Sequence, residues 1–111
     1  MAVSILDNVN EKSTKVIPVS FQDEDEAAVT PNSISWTLTN ETGTIINSRE
    51  NVSVTPASTI NIVLSGDDLA IGDNGMSRRL LVYALYDSAY GSDLSLRAVA
   101  KFDINNLVAV T

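Results

Sequence analysis

Ser33-Ile34-Ser35-Trp36-Thr37-Leu38-Thr39 is the cleanest two-residue alternation in the chain. An extended strand points successive side chains to opposite faces, so Ile34, Trp36 and Leu38 share a buried face and the Ser and Thr residues take the outer one. Asn40-Glu41-Thr42-Gly43 follows as a short connection whose glycine can take a positive φ, which predicts a hairpin return over 44–48 with Ile46 pointing inward. On the N-terminal side, Thr14 to Phe21 reads as a strand with Ile17, Val19 and Phe21 on one face. Pro18 lies in its middle and cannot donate to a ladder, so this strand belongs at a sheet edge or at a switch between sheets. Gln22 to Glu26 forms a turn, and Ala27 to Thr30 returns briefly before Pro31-Asn32 breaks the segment.

The same grammar continues downstream. Val52-Ser53-Val54 is stopped by Pro56, and Thr59 to Leu64 places Ile60, Ile62 and Leu64 in alternation. Ser65 to Ile71 does not alternate; Ser65 or Asp67 can cap a single helical turn there, with Leu69 and Ile71 plugging the bottom of the fold. Arg78 to Tyr86 is the longest apolar strand, and the last strand, Leu94 to Ile104, carries Phe102 and Ile104 inward and Arg97, Lys101 and Asp103 outward. Helical periodicity is nowhere sustained. About seven short strands, a Trp on the second and two long strands at the end predict an all-β, Ig-like or fibronectin type III-like Greek-key sandwich of antiparallel strands. The expected core is Ile34, Trp36, Leu38, Ile60, Ile62, Leu64, Val82, Ala84, Phe102 and Ile104. Residues 1–12 are polar after Leu6 and without period, an arm free to be loose, and 13–111 form the sandwich domain.

Composition narrows the chemistry. The chain has 111 residues, 7 Lys+Arg against 14 Asp+Glu, and neither His nor Cys. One domain of this length buries roughly 65% of its unfolded surface, enough for a core without covalent staples. Without Cys there is no disulfide, thiol nucleophile or thiolate metal site, and without His the commonest general base and metal ligand is missing. A net charge of −7 argues against a nucleic-acid surface. No run approaches the ~18 apolar residues of a membrane span, and Met1 to Asp7 lacks a basic leader, so no membrane contact and first folding in the cytoplasm are expected. Asn40 and Asn51 match the glycosylation acceptor pattern but read as ordinary polar loop residues in that context.

Candidate catalytic and metal groups reduce to simpler roles. Asp23-Glu24-Asp25-Glu26 lacks the Gly and Glu spacing of a calcium loop and reads as a solvated turn; Asp67-Asp68, Asp87 and Asp93 read as caps and Asx turns. No Gly-x-Ser-x-Gly, phosphate loop or selected carboxylate pair occurs, so no enzymatic activity and no cofactor are expected. Trp36 reads as a core anchor rather than a sugar-stacking platform. Leu80 to Tyr86 is apolar on both faces, although a sandwich strand needs only one buried. If Leu80, Val82, Ala84 and Tyr86 fill the core, Leu81, Tyr83 and Leu85 form an outward stripe, and with the loop aromatic Tyr90 they make the candidate interface. Periodicity alone leaves the opposite register open.

The runs Asp67-Asp68-Leu69-Ala70-Ile71, Arg78-Arg79-Leu80-Leu81-Val82, Tyr86-Asp87-Ser88-Ala89-Tyr90-Gly91-Ser92-Asp93-Leu94-Ser95-Leu96 and Phe102-Asp103-Ile104-Asn105-Asn106-Leu107-Val108 resemble small Ig-like or fibronectin III-like structural proteins of tailed bacteriophages and prophages. Phe21 to Asp25 and Val29 to Leu38 are similar to the opening strands of that group, and the likeness covers about Lys15 to Val110. The resemblance implies a non-enzymatic virion or assembly protein of the head, neck or tail, in the virion and, during assembly, in the host cytoplasm. Its partners would be other virion proteins or further copies of itself. A bacterial surface adhesion or carbohydrate-binding module is the competing expectation.

Overall fold

A computed structural model describes residues 3–107. Its elements are the strands β1 (Val3–Ile5), β2 (Val9–Asn10), β3 (Thr14–Ser20), β4 (Ser33–Thr39), β5 (Val52–Val54), β6 (Thr59–Ser65), β7 (Ser77–Ser88) and β8 (Gly91–Asn105). Two 3₁₀ turns, Gly66–Leu69 and Gly72–Asn74, lie between β6 and β7. The all-β class expected from the alternation is what forms, with no α-helix among the described residues.

Six strands make one sheet, in the order β1-β8-β7-β4-β5 with β2 also on β8, and β3 and β6 make a second, antiparallel pair. The large sheet is mixed. Val3–Ile5 and Val9–Asn10, within the segment expected as an arm, run parallel to β8, pairing Val3 with Val99 and Val9 with Ile104. That differs from a purely antiparallel set of about seven strands: the chain enters alongside its own last strand, and a neighbour laid beside it in the same direction pairs in parallel.

Every residue expected in the core is buried, and Phe21, Leu69, Leu80 and Leu96 join them. Burial along β4 and β6 alternates as the sequence predicts. The return after Gly43 is shorter than expected. Only one bridge, Thr39 to Ile45, forms before Asn47 and Ser48 take left-handed φ values of 52° and 57°, which no strand can include. Ile46 is nonetheless buried, held by its amide donating to the Leu38 carbonyl at 2.9 Å.

The bottom of the sandwich is closed by a polar plug. Asp68, in the first 3₁₀ turn, is 1% exposed. Its Oδ1 accepts from Arg49 Nε and Asn47 Nδ2, both at 2.9 Å, and its Oδ2 accepts from the Ser65 amide at 3.1 Å. Arg78 is fully buried and, among the described residues, has no carboxylate partner; it donates to the carbonyl oxygens of Ala70, Gly75, Ser77 and Asp68. Arg78 thereby ties the crossover to the start of β7. A planar guanidinium with five donors is the side chain that can satisfy several carbonyls at once.

Candidate interaction face

The register of β7 decides where its two apolar faces go. Arg78, Leu80, Val82, Ala84 and Tyr86 point into the core, and Arg79, Leu81, Tyr83, Leu85 and Asp87 alternate with them on the outer face of the large sheet. The reason lies in the neighbours. Both β4 and β8 present their own apolar sets to the same core, and cross-strand pairs share a face, so Trp36 and Ala98 beside Val82 hold the whole strand in this register.

The outer face is built in rows. Leu81 lies between Thr37 of β4 and Val99 of β8, Tyr83 between Ser35 and Arg97, and Leu85 between Ser33 and Ser95. Leu81 is 41% exposed, whereas Tyr83 and Leu85 are half-buried by their row neighbours. Arg97 Cζ sits 4.3 Å from the centroid of the Tyr83 ring, a cation over an aromatic face. A shallow depression of about 560 Å³ lies here, lined by Thr37, Asn51, Leu81, Tyr83, Arg97 and Val99 among others. The structure thus brings Leu81, Tyr83 and Leu85 onto one surface.

Tyr90 stands apart, at the tip of the β7–β8 hairpin, and is 75% exposed. Its amide donates to Ser88 Oγ at 3.1 Å, and the tip below it is stapled by polar bonds. Asn32 Nδ2 donates to Asp87 Oδ1 at 2.8 Å and to Asp93 Oδ1 at 3.1 Å, and the Asp93 amide donates to Asp87 Oδ1 at 2.8 Å. The Asp93 amide, then Asn32, hold the Asp87 carboxyl below its ordinary pKa.

The acidic loop is organised as a turn. Asp23 Oδ1 accepts from the amides of Asp25 and Ala27 at 2.9 and 3.0 Å, and a Gln22–Ala28 bridge closes the loop. Tyr86 Oη donates to Glu24 Oε2 at 2.8 Å, which lowers the Glu24 pKa and raises that of the tyrosine. Among the described residues, no group of three or more Asp, Glu, His or Cys is placed to hold a metal ion.

Two features, one on the face and one beneath it in the core, were not singled out in the sequence. The stacking of Arg97 on Tyr83 follows from the β7–β8 register, which pairs those two residues directly. The buried Arg78 had a signal: it shares the parity of Leu80 and Val82, whereas Arg79 shares that of Leu81. Chemically, the face offers apolar contact, a guanidinium stacked on Tyr83 and charges toward its two ends.

No family model, no curated protein and no solved structure matches the chain.

Proposed function

We propose that the protein is a non-enzymatic virion or assembly protein of a tailed bacteriophage, a component of the head, neck or tail, working through protein–protein contacts on the outer face of its large sheet. The observation that carries the contact role is the row of Leu81, Tyr83 and Leu85 on the outer face of the large sheet, which no other strand or turn among the described residues overlies and where Leu81 is 41% exposed. A domain gains no stability from an uncovered apolar strand face, and such faces mark contact sites. The virion setting rests on the resemblance of the turn and strand motifs from Asp67 to Val108 to small phage structural proteins.

Strand order supports an Ig-like Greek-key reading of the fold. β3 pairs with β6 in one layer while β4, β7 and β8 adjoin in the other. These are the B–E and C–F–G neighbours of that topology.

The test is particle assembly in a host that supplies the remaining virion genes. Leu81→Lys/Leu85→Lys should fold as the parent does and fail to enter particles; normal incorporation would end the proposal. A carbohydrate-binding or adhesion module is the second reading, favoured by the depression that sets Thr37 and Asn51 beside the Tyr83 ring. Saturable binding on a glycan array, lost in Tyr83→Ala, would establish it in place of the first.

A further inference from the structure

The outer face carries a row of cations toward one end and a pair of anions at the other. Along β7 its residues are Arg79, Leu81, Tyr83, Leu85 and Asp87; along β8, starting from the same end, they are Lys101, Val99, Arg97, Ser95 and Asp93. Arg79 and Lys101 form one row and Asp87 and Asp93 close the other end, with Leu81, Tyr83, Leu85, Val99, Ser95 and the stacked Arg97 between them; the exposed Asp103 lies one row beyond Lys101, where its Oδ1 accepts from Ser77 Oγ. The flanking strand β4 adds Ser33, Ser35 and Thr37, which carry no charge.

From this we infer that the face is a two-fold interface between two copies of this chain, an inference that rests on the contact role proposed above and names the partner. Consider a half-turn about an axis lying across the strands at the Tyr83–Arg97 row. It lays β7 on β7 and β8 on β8, antiparallel. Arg79 and Lys101 of one copy then meet Asp87 and Asp93 of the other, at both ends, and Leu81 meets Leu85 twice. An isologous contact requires a self-complementary surface, and the pattern is one.

Charge distribution favours this occupant. Of the 7 Lys and Arg residues, Arg78 is buried among carbonyls, Arg49 bonds Asp68 and Lys12 pairs with Asp67 at 3.6 Å. Three of the other four, Arg79, Arg97 and Lys101, lie on this one face of a chain with net charge −7. Three strands, β8, β7 and β4, run the length of the patch, and the three-residue strands β1 and β5 flank part of it, so the direct contact is smaller than the ~800 Å² per partner of a standard interface and the dimer is expected to be a salt-sensitive one. Sheets stacked face to face keep their strands within about 30° of one line, which an antiparallel pairing allows. Arg97 falls on the axis, the one place where like charges face each other. Its stacking on Tyr83 holds each guanidinium down on its own sheet.

The test is sedimentation velocity of the full chain at low and at 0.5 M salt, with Lys101→Asp, Asp93→Lys and the double reversal. Both side chains are solvent-accessible, and thermal melts check that the variants fold; if Lys101→Asp does not, Arg79→Glu with Asp87→Lys makes the same reversal along β7. The parent should be a dimer that weakens with salt. Each single reversal should raise the dimer Kd at least tenfold, and the double should return it to within about threefold of the parent. Lys101 and Asp93 lie at opposite ends of β8, so rescue can act only across the axis. A parent that stays monomeric, or a double reversal no tighter than the singles, overturns the inference. A monomeric parent whose Leu81→Lys/Leu85→Lys variant is still excluded from particles would mean that a different virion protein occupies the face, which leaves the proposed function standing and removes this one.

Discussion

Arg78 Nη2 donates to the carbonyl oxygen of Ala70 at 2.6 Å, and the same side chain reaches the carbonyls of Gly75, Ser77 and Asp68. A residue at the inward parity of an apolar strand thus closes the segment that crosses from one sheet to the other. Its positive charge is dispersed over carbonyl dipoles, and burial pushes its pKa down from the ordinary value while leaving it charged at neutral pH.

Truncating this side chain removes every one of those donors and opens a void. Arg78→Ala should destabilise the domain by about 3–5 kcal/mol, since orphaned carbonyls and a cavity act together. Arg78→Lys keeps the charge and has fewer, differently aimed donors, so it should recover less than half of the loss. Urea unfolding followed by Trp36 fluorescence measures both; a Lys variant as stable as the parent would show that charge rather than the fork of donors matters.

Asp68 makes stability depend on acid. Burial alone would raise its pKa, but the hydrogen bonds from Asn47, Arg49 and Ser65 and the charge of Arg49 outweigh it, so the folded value is lowered. A carboxylate depressed in the folded state binds its proton more readily when unfolded. Its contribution is therefore complete above the ordinary carboxylate pKa of about 4 and disappears as pH falls below that, through the lowered folded value. Asp68→Asn should lower stability at pH 7 by about 1.5–3 kcal/mol and flatten the acid limb of a melting-temperature profile. A variant with an unchanged acid limb would remove Asp68 from this role.

Trp36 is the largest apolar side chain of the core and lies 7% exposed between Ile34 and Leu38. Trp36→Ala should cost about 3–5 kcal/mol, much of the total stability of a domain this size. Emission from the folded parent should be blue-shifted and shielded from iodide; ready quenching would contradict the packing.

Chelation is expected to leave the fold unaltered. The acidic loop is closed by Asp23 accepting two backbone amides, and Asp87 is held by Asn32 and the Asp93 amide. These carboxylates already have partners that stabilise the native turn. Melting with EDTA and with added calcium should give the same midpoint. A rise of many degrees with calcium would reveal native-state binding.

The alternation Ile34-Trp36-Leu38 and Ile60-Ile62-Leu64 was enough to place those residues in one core, because the two-residue period of a strand is a local property of the backbone. Pro18 announced an edge for an equally local reason, its missing donor, and among the described residues β3 pairs with β6 alone. Where both parities are apolar, as in Leu80 to Tyr86, the period carries no direction. Only the pairing with β4 and β8 turned Leu81, Tyr83 and Leu85 outward. The parallel docking of Val3–Ile5 and Val9–Asn10 on β8 had no local signature either, since it joins the two ends of the chain. The charge-reversed pattern of the outer face arises the same way. It belongs to two strands set in register by their hairpin, so it exists in the folded sheet and in neither strand alone.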